Sequence, residues 1–239
     1  GREPGSNGLT FDAKGRLVYC RHGERDIARR EPDGRISVLV NRFREQRFNS
    51  PNDLVHDSKG NLYFTDPHFG LPRGMDDLAK ELRFQGVYRL SADGRIDAIV
   101  TDLEAPNGVA LSPDERTLYV ANATKTRPIW MAYTIGEDGA VSHARQFAEA
   151  SRYVADGKKG VPDGMKVDKQ GNVFATGPNG VHIFAPDGAR LGRIVTHVPT
   201  GNVAWGEDGS VLFIAANHRI LRVQTSTRGL LPQNIGAKP

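Results

Sequence analysis

The sequence predicts an all-β propeller built from four-stranded antiparallel blades, about five of them present. Three observations lead there. A unit of polar turn, alternating strand, Asp/Gly turn and second apolar run recurs along the chain. It opens at Asn7, Asn52, Asn107, Asp163 and Gly201, with separations of 45, 55, 56 and 38 residues. An Asp-Gly pair follows the third strand in four repeats, at Asp33-Gly34, Asp93-Gly94, Asp138-Gly139 and Asp187-Gly188. Finally, 27 Gly and 14 Pro among 239 residues suit a chain of many turns, and no stretch carries a long helical period. Four short strands per repeat of roughly 40–55 residues mark a propeller blade. A β-sandwich gives no reason for a polar residue to open every fourth strand.

The elements follow in order within each repeat. The first strand alternates, as in Leu9-x-Phe11, Leu54-x-His56, Val109-x-Leu111 and Met165-x-Val167. The second is a short apolar run, such as Leu17-Val18-Tyr19, Leu62-Tyr63-Phe64, Leu118-Tyr119-Val120 and Val173-Phe174-Ala175. A third strand ends at the Asp-Gly pair, whose composition suits the tight primed turns that match strand twist. The fourth strand is clear at Ile36–Val40 and Ile96–Val100. The fifth repeat stops after Val223 without an outer strand, and the chain opens Gly1-Arg2-Glu3 with no Met. Counting blades, we expect a segment of about one blade ahead of residue 1 in the natural protein. The expected organisation is a single propeller domain over residues 1–229, its first blade truncated, with a C-terminal tail over 230–239. Two loops break the rhythm, Pro67–Gln85 and Glu149–Val161. Excursions of this length are often binding loops, and Met75–Phe84 has room for one or two helical turns.

Charge and cysteine usage exclude several classes. Thirty-two basic residues face 28 acidic ones, a net +4 without a long basic run. Dispersed charge of this kind argues against nucleic-acid binding. No apolar run approaches the roughly 18 residues needed to cross a bilayer, so no membrane partner is expected. The one cysteine, Cys20, excludes an internal disulfide and favours a cytoplasmic over a periplasmic setting. It reads as a small packing residue, since no motif activates its thiol. Tyr63, Phe64, Tyr119, Phe174 and Trp205 read as core between blades, and His56 as core or channel.

The slot column is where function is sought. In a propeller the residues opening the innermost strands converge at one mouth. Asn52, Asn107 and Asp163 would then offer two amide oxygens and one carboxylate. Such a hard, oxygen-only set suits Ca²⁺ best and Mg²⁺ or Mn²⁺ less strictly. Zn²⁺, which prefers His and Cys, is the least suited of the ions that stay open. The competing reading is structural: Asn-Gly, Asn-Asp and Asp-Gly are also ordinary turn dipeptides.

Several segments together resemble the gluconolactonase branch of the senescence-marker-protein (regucalcin) family. They are Ser50-Pro51-Asn52-Asp53, Thr65-Asp66-Pro67-His68-Phe69-Gly70, Pro106-Asn107-Gly108-Val109-Ala110-Leu111-Ser112, Pro162-Asp163-Gly164-Met165 and Cys20-Arg21-His22-Gly23. The resemblance runs from about Ser6 to Leu221. It implies a six-bladed propeller with one divalent metal, usually Ca²⁺, at the channel mouth. It also implies hydrolysis of a sugar lactone, such as glucono-1,5-lactone, to the aldonic acid. Asn107 and Asp163 match the family's metal-binding Asn and Asp, and Asn52 matches an Asn that contacts metal or substrate. Two features depart from the family. The Glu of an early Glu-Gly-Pro motif, a further ligand, has no counterpart, and Glu3 in Arg2-Glu3-Pro4-Gly5 is not assigned to it. Ser50 stands where animal members carry an Arg, so the sugar contacts must differ.

The chemistry implied is polarisation of the lactone carbonyl by the ion, with Asp163 or a water activated by the ion delivering the nucleophile. A carboxylate beside a cation is a weak base, which keeps both routes open. His22 and His68, each following an inner strand, are candidates to orient substrate or relay a proton. A related hydrolase of phosphotriesters and a non-catalytic binding propeller are the alternative readings.

Overall fold

The computed structural model describes residues 5–232, so Glu3 and the last seven positions of the expected tail lie outside the described residues. The chain divides into two compact units, one running up to Pro106 and the other from Asn107 to Leu231.

In the first unit, β1 (Ser6–Phe11), β2 (Leu17–Arg21), β3 (Asp26–Arg30) and β4 (Ile36–Val40) pair in sequence order as one antiparallel sheet. A ribbon of β5 (Arg42–Phe43) and β6 (Gln46–Arg47) leads to the second sheet. That sheet holds β7 (Leu54–His56), β8 (Leu62–Asp66), β9 (Gly86–Leu90) and β10 (Ile96–Val100). The second unit begins with β11 (Pro106–Leu111), β12 (Thr117–Asn122), β13 (Ile129–Ile135) and β14 (Val141–Glu149). After a short helix, α1 (Ser151–Ala155), come β15 (Met165–Val167), β16 (Val173–Gly177), β17 (Gly180–Phe184) and β18 (Arg190–Val195). The last sheet has three strands, β19 (Thr200–Gly206), β20 (Val211–Ala216) and β21 (Arg219–Gln224); among the described residues no fourth strand joins it. These sheets are the blades of the predicted propeller.

Aromatic side chains fill the space between neighbouring blades of one unit. Phe48, Phe64 and Tyr88 meet edge-on or stacked, with centroids 5.1–5.2 Å apart, over Val18, Cys20, Ile27, Leu54 and Leu62. In the second unit Trp130, Phe147 and Phe184 form one cluster and Phe174 with Trp205 another. Tyr63, Phe64, Tyr119, Phe174 and Trp205 are all buried, as expected. Each large apolar side chain buried in this way contributes about 1.5–3 kcal/mol. Cys20 lies in the first of these cores, and burial, followed by the nearby Asp53, Asp66 and Asp26, pushes its thiol well up, so it is inert.

One expectation needs correction, and three features add to the rest. The Asp-Gly pairs are not primed turns. Gly34, Gly94, Gly139 and Gly188 have positive φ, but the preceding aspartates do not. Each Gly N–H bonds back three residues, as Gly34 does to Glu31 at 2.9 Å. Each Asp Oδ1 accepts the N–H two residues on, at 2.8–3.1 Å. This is a type I turn closed by a left-handed glycine, in which Asp serves through its side chain. The loop Glu149–Val161 starts at the last residue of β14 and contains α1, while the Pro67–Gln85 excursion contains a single 3-10 turn, Gly74–Asp76. The alternating Leu9 and Phe11 of β1 are exposed, at 52% and 38%, because no described residue covers that face of the first blade. His22 and His68 follow the second strands, β2 and β8.

Within each unit, the opening segments of neighbouring blades meet. Gly8 N–H donates to the Asn52 carbonyl at 2.6 Å, and Gly164 N–H to the Gly201 carbonyl at 2.8 Å. Glycine is required here by space. A Cβ at Gly8 would lie 2.6 Å from the Asn52 oxygen, and one at Gly108 would run into the Asp163 carbonyl. Gly108→Ala is therefore expected to destabilise by at least about 2 kcal/mol, since a backbone atom cannot yield as a flexible side chain can. Gly192→Ala, in open space without positive φ, is expected to be neutral or stabilising by up to about 1 kcal/mol. Chemical denaturation of the two variants checks the contrast.

Candidate functional site

The same glycines decide between the two readings of the slot dipeptides. Type II and primed turns would put Gly8, Gly108 or Gly164 at positive φ, and none of them has it. Asn7-Gly8 and Asn107-Gly108 lie within β1 and β11, and Asp163-Gly164 runs directly into β15. The slots are strand openings, held close by glycine.

In the first unit, Asn52 is carried by a segment with almost every polar group tied down. Asp66, at the end of β8 and fully buried, accepts Asn49 N–H on Oδ2 at 2.8 Å and Ser50 N–H on Oδ1 at 2.7 Å. The Asn49 amide donates to the carbonyls of Asp66 and Phe84, at 3.1 and 3.0 Å. Arg25, also buried, donates to the Phe48 carbonyl at 2.6 Å. Asn52 N–H donates to the Thr65 carbonyl at 2.8 Å. Burial pushes the Asp66 carboxyl up to about 7, against the pull of the two N–H groups, Arg25 and Lys80. Ser50 is spent internally: its hydroxyl donates to the Pro67 carbonyl at 2.6 Å and accepts Gly70 N–H at 2.9 Å. Ser50 is fully buried, so its hydroxyl serves the loop and is not exposed to a sugar.

Those Ser50 bonds dock the loop that carries His68. Gly70 is pressed between His22 and Ser50; a Cβ there would lie 2.8 Å from the Cβ of each. His22 is buried, and Asn7 Nδ2 donates to its Nε2 at 3.0 Å. Since the start of β1 pairs with the end of β2, and Asn52 with the end of β8, the first unit gathers Asn7, His22, Asn52 and the His68 loop at one end of its two blades.

In the second unit, the segments Asn107-Gly108 and Asp163-Gly164 are in direct contact. Asp163 N–H donates to the Thr176 carbonyl at 3.0 Å, and the buried Thr176 hydroxyl reaches the Gly164 and Gly201 carbonyls at 2.9 and 3.1 Å. Asn107 is buried and Asp163 half-buried. Next in the column, a Cβ at Gly201 would stand 3.8 Å from Asp163 Oδ2, so the glycine leaves room beside the carboxylate. Among the described residues no three His, Cys, Asp or Glu side chains form a metal-binding group. An ion here would have to be held partly by amide oxygens, and the donor types of Asn107 and Asp163 fit a hard cation.

Sequence reasoning missed Asp66 and Gln85, treated below, as functional supports. Asp66 was visible as a member of the Thr65-Asp66-Pro67-His68-Phe69-Gly70 segment, without a role of its own.

Fold and slot column thus define an all-β propeller whose blades open on Asn and Asp side chains. The chain belongs to the SMP-30/Gluconolactonase/LRE-like region family, whose profile matches residues 2–218. It is 44% identical over 234 residues to a gluconolactonase of Zymomonas mobilis, covering 95% of this chain and 65% of the relative. It is 32% identical over 149 residues to the lactonase drp35 of Staphylococcus aureus, covering 60% of this chain and 41% of that protein. A solved gluconolactonase structure from Xanthomonas campestris superposes with a TM-score of 0.82 at 36% identity, over 94% of this chain and 72% of the other. The chain therefore spans about two thirds or less of the curated relatives it matches. No described helix is long and apolar enough to cross a membrane.

Proposed function

We propose that this chain is the propeller of a metal-dependent lactonase that opens a sugar lactone, such as glucono-1,5-lactone, to the aldonic acid. The observation that carries the reading is the contact between Asn107-Gly108 and Asp163-Gly164, strand openings with glycine-made space beside the Asp163 carboxylate. Family membership and the lactonase relatives support it. Asn107 and Asp163 would hold a divalent cation, Ca²⁺ by donor type; Asn52, in the first unit, is proposed as an oxygen donor to metal or substrate. Bound there, the ion would polarise the lactone carbonyl and stabilise charge developing on its oxygen. Asp163 is proposed as the catalytic carboxylate, orienting the attacking water and accepting its proton as the new C–O bond forms. The ring C–O bond then breaks, and the proton passes to the departing alkoxide. Asn52, His22 and His68 are proposed to bind the sugar hydroxyls.

A chelator is expected to bring hydrolysis of glucono-1,5-lactone down to the uncatalysed rate, and added Ca²⁺ to restore it. Full activity after chelation would rule out the metal. A panel of aldonolactones against phosphotriesters checks the reaction class. Turnover of the phosphotriesters alone would overturn the lactonase reading.

A further inference from the structure

The two histidines near Asn52 differ in a way that the sequence does not show. His68 is held by Gln85, a buried side chain whose every polar atom is used. Gln85 Oε1 lies 2.9 Å from His68 N and 2.7 Å from His68 Nδ1. Gln85 Nε2 donates to the Glu104 carbonyl and to Met75 Sδ. Two of these partners are backbone groups with fixed roles. An N–H can only donate and a carbonyl can only accept, so the amide cannot be flipped. Its oxygen faces His68, and Nδ1 must carry the proton. The neutral ring then keeps its lone pair on Nε2. In His22 the Nε2 already accepts from Asn7. Among the described residues no hydrogen bond reaches His68 Nε2. Gly74 lies along that edge of the ring, 3.1 Å from Cδ2 and 3.8 Å from Nε2 at the position a Cβ would take, and so leaves it uncrowded. Phe69 packs on the ring with centroids 4.8 Å apart.

We propose that Gln85 is a positioning residue that locks His68 as the Nδ1–H tautomer, presenting Nε2 as a hydrogen-bond acceptor for a substrate hydroxyl group. What the acceptor receives rests on the lactonase reading above; the tautomer does not. The arrangement selects a polyhydroxylated lactone over one without hydroxyls, because a bare ring leaves the lone pair unpartnered.

The test uses the full chain and two substitutions, Gln85→Leu and Gln85→Glu. Nitrogen-15 shifts of His68, read at mildly alkaline pH, are expected to show Nδ1 protonated and Nε2 bare in the parent protein. Gln85→Glu, which keeps an acceptor, should retain that pattern; Gln85→Leu should lose it. Gln85→Leu is also expected to raise KM for glucono-1,5-lactone about tenfold, with kcat little changed and δ-valerolactone hydrolysis unaffected. A parent protein with Nε2 protonated would overturn the proposal. So would a Gln85→Leu protein unchanged in both tautomer and discrimination, or one equally impaired on both lactones. If the parent opens neither lactone, the lactonase reading fails, and the nitrogen shifts alone still decide the tautomer. Should Gln85→Leu fail to fold, the parent and Gln85→Glu spectra carry the decision.

Discussion

Asp163→Ala is expected to lower kcat/KM for lactone hydrolysis by about a thousandfold or more. The substitution removes the one carboxylate of the proposed ligand set and the proposed proton acceptor together, and charge stabilisation of this kind accounts for several kcal/mol of the barrier. The fold should survive. Asp163 is half-buried, and its backbone is held by Thr176 through atoms that the substitution leaves in place. Stability should change by no more than about 1 kcal/mol. Asp163→Asn separates the two roles, because it keeps an oxygen but loses the charge and the basicity. It should retain some ion binding while losing most turnover. Steady-state assays at matched Ca²⁺ check both variants. An Ala variant with parental turnover would remove Asp163 from the chemistry.

The second large effect belongs to stability. Asp66→Ala is expected to cost about 3–5 kcal/mol, because it leaves the buried N–H groups of Asn49 and Ser50 without acceptors. The pH dependence has a definite sign. Burial raises the folded carboxyl from the ordinary 3.8 to about 7. Below about pH 4 the group is protonated in both states, and its contribution is fully present. Between about pH 4 and 7 the unfolded chain ionises while the folded one resists, so stability drains away by up to about 4 kcal/mol. Above that the loss levels off. Asp66→Asn has no such slope. Subtracting its denaturation free energy from the parent's at each pH cancels the other titrating groups. The difference should move in favour of the Asn variant as pH rises from 4 to 7. A flat difference would show that Asp66 is not held protonated by burial.

Much of this molecule is legible in its sequence, and the boundary of legibility has a physical cause. The blades are legible because each strand alternates and each turn carries its own Asp and Gly, which are local signals. The slot residues are legible as a column because they recur at the blade period. Why glycine follows Asn7, Asn107 and Asp163 is not legible: Asn-Gly has the composition of a turn, and the atoms that exclude a side chain belong to the next blade. The turn type at Asp33-Gly34 was misjudged for a related reason. The same dipeptide serves primed turns through two positive φ values and type I turns through one, with the Asp side chain as acceptor. Asp66 and Gln85 stayed hidden because their partners lie 16–19 residues away along the chain, with no periodicity to announce them. Ser50 was visible as a departure from the family's animal members. Only the structure shows that its hydroxyl is consumed by the loop bearing His68.

Calorimetric titration of Ca²⁺ into the metal-free protein, alongside the Asp163→Ala and Asn107→Ala variants, tests the proposed metal centre most directly. One ion per chain is expected for the parent, with affinity lost in Asp163→Ala and weakened in Asn107→Ala. Saturation should coincide with the return of lactone hydrolysis. Undiminished binding in Asp163→Ala, or hydrolysis at the parental rate before any ion is added, would contradict it.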